Sequence, residues 1–277
     1  LVRLDTVEYV EIGDINANTD WSLAVKGVNA VVHLAARVHQ TDKKAGADIE
    51  AFRSVNVQGT KSLAKSAIDA GVNQFVFLSS IKVNGESGTF SEASLPDPKD
   101  AYGISKREAE ESLIEIFSGA DKSLVIIRPP LIYGPGVKAN LNALIRLVRT
   151  GIPLPFGSFK NKRSLIGIGN LVDLLINCLV NAPKGSNVYL ASDGNAVSTL
   201  DLVEAIAKAD NRRTINIPIP MPLISLVAKL LGKSEMMQKL GGDLVIDSDK
   251  LTRELGWIPP FSFQESISRM LAGDNEK

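Results

Sequence analysis

The stretch AYGISKREAE, residues 101–110, sets a phenol and a primary amine four positions apart, at Tyr102 and Lys106. Residues i and i+4 of a helix share one face, so hydroxyl and ammonium would point the same way. A cation held there favours the phenolate, lowering the phenol's pKa from about 10 towards neutrality and fitting it for acid–base work. A surface tyrosine beside a solvated lysine has the same spacing, so the pair gains meaning only from its surroundings. Other chemistry is thinly represented. His33, His39 and Cys178 are the soft ligands, which points away from zinc. Cys178 sits in the apolar run LVDLLINCLV; alone it makes no disulfide within the chain, and it reads as a buried thiol rather than a nucleophile.

The elements that would position the pair alternate. VEYVEIGD (7–14) reads as a strand, followed by a helix near TDWSLAVKG. AVVHLAA (30–36) reads as a buried strand, then a helix runs across IEAFRSVNVQGTKSLAKSAIDAG to Gly71. QFVFLSS (74–80) is the next strand, followed by a loop at 84–100, the Tyr102 helix and the strand SLVIIRPP (123–130). Strands separated by helices of this length imply βαβ units and a parallel sheet, and continuous apolar runs suit strands covered on both faces. Ligands of such sheets sit beyond the strands' carboxyl ends, where His33–Arg37, Ser79–Ser80 and Arg128–Gly136 fall. From about residue 135 Pro and Gly punctuate the chain, with helices predicted at 140–150, 200–209, 221–232 and 263–272. SNVYLAS (186–192) reads as a strand returning to the main sheet.

The 277 residues suffice for one large domain or two modest ones. Lys and Arg number 31, as do Asp and Glu, so no general affinity for nucleic acid is expected. No signal peptide is visible, and MPLISLVAKLLG (221–232), which contains Lys229, is too short to span a bilayer. It reads as a core-facing or interface helix, or as one lying at a membrane surface. The expected setting is soluble and cytoplasmic.

GDI (13–15), VVHLAAR (31–37), NVQGT (56–60), FVFLSS (75–80), YGISK (102–106), RPPLIYGPG (128–136) and ELGWIPPFSF (254–263) follow in an order that resembles the extended short-chain dehydrogenase/reductases. Within them the chain is similar to the nucleotide-sugar epimerase/dehydratase branch, over nearly its whole length. The resemblance implies an α/β fold: a Rossmann-like doubly wound parallel sheet with a smaller C-terminal substrate-binding lobe. Residues 1–135 would bind the dinucleotide and 136–277 the nucleotide-sugar, with about 164–192 returning to the main sheet.

Carried over from the family, Tyr102 would be the general acid/base, Lys106 would hold the nicotinamide ribose, and Ser80 would hydrogen-bond the reacting oxygen. Asp14 and Ile15 would lie near the adenine, with Leu34, Ala35 and Ala36 beneath the cofactor ribose. Asn56 would steady the neighbouring strand-end loop, and Ser79, Pro130 and Ile132 would complete the cofactor side. His33 would be only a packed or hydrogen-bonded side chain. For a UDP-sugar the matches are Asn140 and Leu141 at a helix start, Leu154 and Phe156 flanking the base, Arg163 on the diphosphate and Asp243 on the ribose side. The arginine that often precedes this aspartate is missing from QKLGGD, so one phosphate contact is lost or supplied by Lys239. NAD is the implied cofactor, no metal is implied, and a homodimer through the helices 53–70 and 102–117 is expected, with Leu63 and Leu113 permitting it or serving ordinary core packing.

Two departures matter. The family's opening strand, glycine-rich turn and helix are not in this sequence, which starts at LVRLDTVEYVEIGD; a native product longer by roughly 40–50 residues is expected. The residue that selects NAD or NADP normally follows the second strand, so NADP stays open. Ser80 is followed by Ile81 and Lys82 rather than the acidic pair of the 4,6-dehydratases, which leaves redox chemistry at one carbon. SSIKVNGE, with Asn84 where many epimerases carry Tyr, resembles the UDP-N-acetylhexosamine subgroup of surface-polysaccharide synthesis. The favoured expectation is an NAD-dependent C4 epimerase of a UDP-hexose or UDP-N-acetylhexosamine. The alternatives are a 4-ketoreductase of a UDP-4-keto-6-deoxy-N-acetylhexosamine and a non-catalytic nucleotide-binding module.

Overall fold

The computed structural model describes residues 7–38, 48–137, 139–230, 232 and 240–275. His39 and Lys239 lie outside the described residues. The chain forms two compact units: Leu1–Gly85 with Leu95–Arg128 and Cys178–Tyr189, and Glu86–Ser94 with Pro129–Asn177 and Leu190–Lys277.

The first unit carries β1 (Ala30–His33), α1 (Ile49–Arg53), a π-helical stretch (Ser54–Gly59), α2 (Thr60–Asp69), β2 (Gln74–Leu78) and a 3₁₀ turn (Ile81–Val83). After β3 (Gly88–Phe90), which belongs to the second unit, come α3 (Ala101–Phe117) and β4 (Ser123–Arg128). β5 (Leu131–Tyr133), α4 (Ala139–Arg149), β6 (Leu165–Gly167), α5 (Ile168–Asn181) and β7 (Gly185–Leu190) follow. The main sheet has the order β1-β2-β4-β7, with β1–β2 and β2–β4 parallel; Val31 faces Phe75, and Phe77 faces Ile126. All six residues of β4 are buried, as a strand covered on both faces must be. Phe75, Phe77, Leu124 and Ile126 pack with Leu63, Leu113 and Phe117 of the flanking helices, and each such side chain contributes about 1.5–3 kcal/mol by burial. The returning strand expected at 186–192 is β7.

The second unit continues with α6 (Thr199–Ala209), α7 (Met221–Leu230), β8 (Leu244–Ile246), α8 (Asp249–Leu255) and α9 (Phe263–Asn275). Ser198 and Asp201 close a reciprocal capping box at the start of α6. Two short parallel pairs, β5–β6 and β3–β8, frame a separate core around Tyr133, Ile145, Phe156, Ile206, Ile267 and Met270.

Three expectations change. Residues 7–14 form no strand: Val7 and Tyr9 are exposed, and among the described residues no strand lies beside them to complete a ladder. Residues 20–27 make hydrogen-bonded turns instead of a helix, with Asp20 accepting from Ser22 N at 2.9 Å and Val25 N donating to Trp21 O at 3.0 Å. Leu63 and Leu113 are buried in the first core and offer no surface to a partner.

Candidate active site

The first turn of α3 is set by Asp100, whose Oδ1 accepts a hydrogen bond from Gly103 N at 2.7 Å and caps the helix. Gly103 is required by proximity: a Cβ there would stand 2.8 Å from the Lys82 carbonyl oxygen and 3.1 Å from Pro98. The helix therefore starts hard against the 3₁₀ turn that follows β2. Ser80 enters that turn in extended conformation and hydrogen-bonds the Tyr102 phenol. Phe52 of α1 meets the Tyr102 ring edge-on, with centroids 6.4 Å apart. One turn further along α3, Lys106 is only 1% exposed. Its Nζ donates to the Leu78 carbonyl at 2.8 Å and stands 4.3 Å from the centre of the Phe77 ring. The structure thus brings Ser80, Tyr102 and Lys106 together at the carboxyl end of β2.

Their electrostatics differ from the sequence expectation. Burial pushes the Tyr102 phenol up to about 12; the Ser80 hydrogen bond opposes this, and the Asp100 carboxylate adds to it. Burial also brings Lys106 down to about 8, against the opposing pull of the Glu110 carboxylate. The expected depression of the phenol is absent because Lys106 is directed at a carbonyl and an aromatic face. Within this chain, Tyr102 holds its proton.

Sequence reasoning missed the groups behind the pair. Glu110, one turn beyond Lys106 and 2% exposed, accepts from Arg128 Nε at 3.0 Å, from Arg128 Nη2 at 2.5 Å and from the Ser79 hydroxyl. Arg128 Nη1 reaches Asn84 Oδ1 at 3.0 Å. This buried fork ties α3 to the ends of β2 and β4. A charged residue in the apolar strand SLVIIRPP, and a Glu four positions after Lys106, were the available signals. Ser79 is consequently turned inward onto Glu110, and its hydroxyl is not presented to a ligand.

The remaining candidates of the first unit lie near the carboxyl end of β1. Asn56, in the π-helical stretch, accepts from Arg37 N at 2.8 Å and donates to Arg37 O at 3.1 Å and Ser105 Oγ at 2.9 Å. It clamps the loop after β1 to the helix of Tyr102. Leu34 is 52% exposed, Ala35 is exposed and Ala36 half-buried, while Arg37 Nε is buried without a partner among the described residues. Asp14 is exposed, and Ile15 packs so closely on Gly59 that a Cβ there would lie 2.4 Å away. His33 meets Thr60 Oγ1 at 2.9 Å and stacks on Phe77; burial, then the Lys106 cation, lowers its pKa to about 4. Pro130 (buried) and Ile132 (half-buried on β5) belong to the second unit.

In the second unit Arg163 Nη1 donates to Gly242 O at 3.1 Å, and Asp243 Oδ1 accepts from Lys162 N at 2.7 Å. Burial lowers the Arg163 pKa and Asp243 opposes it, so the two are neighbours. Asp243 lines a cavity of about 270 Å³ with Ser158, Phe159, Lys160, Asn161, Met221 and Gly241. Asn161 was missed by sequence reasoning; it is 8% exposed and its Nδ2 has no partner among the described residues. Asn140 is exposed in the first turn of α4. Leu141, Leu154 and Phe156 are buried in the second core, Phe156 edge-on to Phe159 at 5.3 Å. Their side chains pack in that core.

Comparison with known proteins places these residues in a lineage. The chain is 46% identical over 265 residues to UDP-glucose 4-epimerase of Vibrio cholerae, covering 94% of this chain and 80% of that protein. It is 28% identical to N-acetyl-alpha-D-glucosaminyl-diphospho-ditrans,octacis-undecaprenol 4-epimerase of Escherichia coli O157:H7, covering 95% and 83%. Among solved structures, UDP-glucuronic acid 4-epimerase from Bacillus cereus in complex with NAD shares the fold, with a TM-score of 0.73 at 21% identity over 95% of this chain and 79% of that one. The profile of the 3-beta hydroxysteroid dehydrogenase/isomerase family matches residues 2–215. The chain belongs to that family of extended short-chain dehydrogenase/reductases.

Proposed function

We propose that the protein is an NAD-dependent nucleotide-sugar 4-epimerase acting on a UDP-hexose or UDP-N-acetylhexosamine. The observation that carries this reading is the 46% identity, across 94% of the chain, to a UDP-glucose 4-epimerase. The residues at the first unit's strand ends suit the nicotinamide-ribose end of NAD. Lys106 meets one carbonyl oxygen and one aromatic face, whereas an ammonium carries three N–H groups, so ribose hydroxyls can take the others. The small Ala35 and Ala36 leave the segment open, and Arg37 Nε, without a partner among the described residues, suits an anionic or polar group. A bound NAD supplies hydride acceptance and return at C4.

The chain's own residues manage the proton. Tyr102 acts here as the phenolate, which the positive charges of Lys106 and a bound nicotinamide would favour over the protonated form of the free chain; its Oη takes the proton from the sugar's C4 hydroxyl and returns it to the same oxygen after the keto-sugar has turned. Ser80, beside the phenol, would turn its single O–H from the phenol to that oxygen when the sugar binds. Lys106 holds the ribose and adds positive charge. Arg163 takes the diphosphate and Asp243 the ribose of the UDP, with Asn161 on the wall of the Asp243 cavity. A cytoplasmic homodimer serving surface-polysaccharide synthesis completes the proposal, with Ile114 of α3, 41% exposed, as a contact point.

Incubation with UDP-glucose or UDP-N-acetylglucosamine and catalytic NAD is expected to give the C4 isomer with no net change in NADH. Stoichiometric NAD(P)H consumption with a 4-keto sugar, and no isomer, would overturn the reading. Tyr102→Phe is expected to cut turnover by about 10² or more while nucleotide-sugar affinity holds. Sedimentation gives the oligomeric state.

A further inference from the structure

The second unit presents an apolar surface that the proposed chemistry does not use. α7 packs Met221 and Ile224 against the second core, yet its opposite face carries Leu223 (51% exposed), Leu226 (54%) and Leu230 (78%). A helix at a protein's surface ordinarily turns a polar face outward, and one that is apolar all round is buried or meets lipid. The extended segment before α7 continues the surface with Ile215 (66%) and Ile217 (45%), two apart and therefore on one side of the strand-like backbone. Their exposure is held in place. Leu154 N donates to Ile215 O at 2.8 Å, and Ile217 N donates to Leu154 O at 2.8 Å.

Charge identifies the occupant. From Asn211 to Leu230 the charged residues are Arg212, Arg213 and Lys229; all are basic and all exposed, in a chain whose totals balance at 31 and 31. The acid just before the segment, Asp210, is bonded by Arg149 at 2.6 and 3.1 Å and also feels the Arg212 charge, so one carboxylate faces two guanidinium groups and the segment keeps an excess of positive charge. A two-fold contact between copies of this face would bring the same bases together with no acid of the segment to meet them. An anionic bilayer offers both the apolar layer and the countercharge.

We propose that α7 and the segment from Arg212 to Ile217 form a docking surface for an anionic membrane, with Leu223, Leu226 and Leu230 entering the headgroup–acyl boundary.

The test is co-sedimentation with vesicles of equimolar phosphatidylglycerol and phosphatidylcholine at low salt, against pure phosphatidylcholine. Wild type is expected to sediment with the anionic vesicles and to dissociate as salt rises. Leu223→Ser/Leu226→Ser/Leu230→Ser is expected to weaken binding by about tenfold or more, and Arg212→Gln/Arg213→Gln/Lys229→Gln by a similar factor with a flatter salt dependence. An unchanged melting curve shows that each variant is folded. Wild type remaining in the supernatant, or the leucine variant binding as wild type does, would overturn the proposal. So would a leucine variant that loses self-association while vesicle binding is untouched, since the face would then be a contact between copies. The readout is sedimentation, so it stands apart from whether turnover is found.

Discussion

Lys106 and Glu110 share one buried face of α3, and their coupling sets a pH dependence. Lys106 titrates near 8 in the fold against an ordinary value of 10.5, because burial disfavours its charge. Between those values the unfolded chain holds a proton that the folded chain has released, so the Lys106 contribution makes stability rise as pH rises from about 8 to 10.5. Tyr102 acts oppositely above pH 10, since its folded value is raised to about 12. Denaturant melts should show the first slope in wild type and its loss in Lys106→Met. Glu110→Gln removes the carboxylate that supports the Lys106 charge, so the alkaline limb of the activity profile is expected to move to lower pH. It also strands Arg128, and breaking a buried pair costs about 3–5 kcal/mol, so the melt and the limb are read together. Tyr102 and Lys106 were legible in the sequence because one turn of helix fixes their relation. The Arg128–Glu110 fork was not, because only the sheet's register brings the end of β4 to the middle of α3.

The element that determines the site is the start of α3, held by one cap and one missing side chain. Gly103→Ala would press a methyl onto the Lys82 carbonyl at 2.8 Å, and backbone cannot swing aside as a side chain can. The expected cost is about 1–3 kcal/mol, with turnover falling further because Tyr102 is displaced from Ser80. Asp100 separates two effects. Asp100→Asn keeps a good cap, so stability should change little, while removal of the charge lowers the phenol's pKa in an ultraviolet titration of the tyrosinates. Asp100→Ala loses the cap as well and should cost about 1 kcal/mol. At this scale the sequence was informative wherever the pattern is local. The parallel strands β1, β2 and β4 follow from their apolar runs, and α6 from its apolar spacing. Residues 7–14 carry the β-branched and aromatic residues of a strand, but a strand exists only with a neighbour to pair with. β3 and β8 were missed for the complementary reason: three-residue runs such as Gly88–Phe90 become strands through the distant partner they meet.

Across the molecule there are two cores, and the residues read as binding the cofactor and the sugar divide largely between the units that own them. Leu141 and Leu154, singled out by the family resemblance, have their side chains in the second core, a packing that the resemblance did not report. Exposure could not be read from the sequence either: MPLISLVAKLLG is equally apolar on its packed and open sides. Cys178 offers a direct probe of the first unit's integrity. It is fully buried, burial pushes its thiol up to about 12, and its carbonyl accepts from Gln74 Nε2 of β2 at 2.6 Å. At pH 8 little thiolate forms and no reagent reaches it unless the packing opens. Labelling of the native protein by a thiol-reactive dye is therefore expected to run about 10³-fold or more slower than that of the unfolded chain. The rate should climb with denaturant along the slope of the spectroscopic melt, because exposing Cys178 requires breaking its contact with the main sheet. Rapid labelling without denaturant would mean that this part of α5 is not packed against β2, and with it would fall the buried frame on which Lys106 depends.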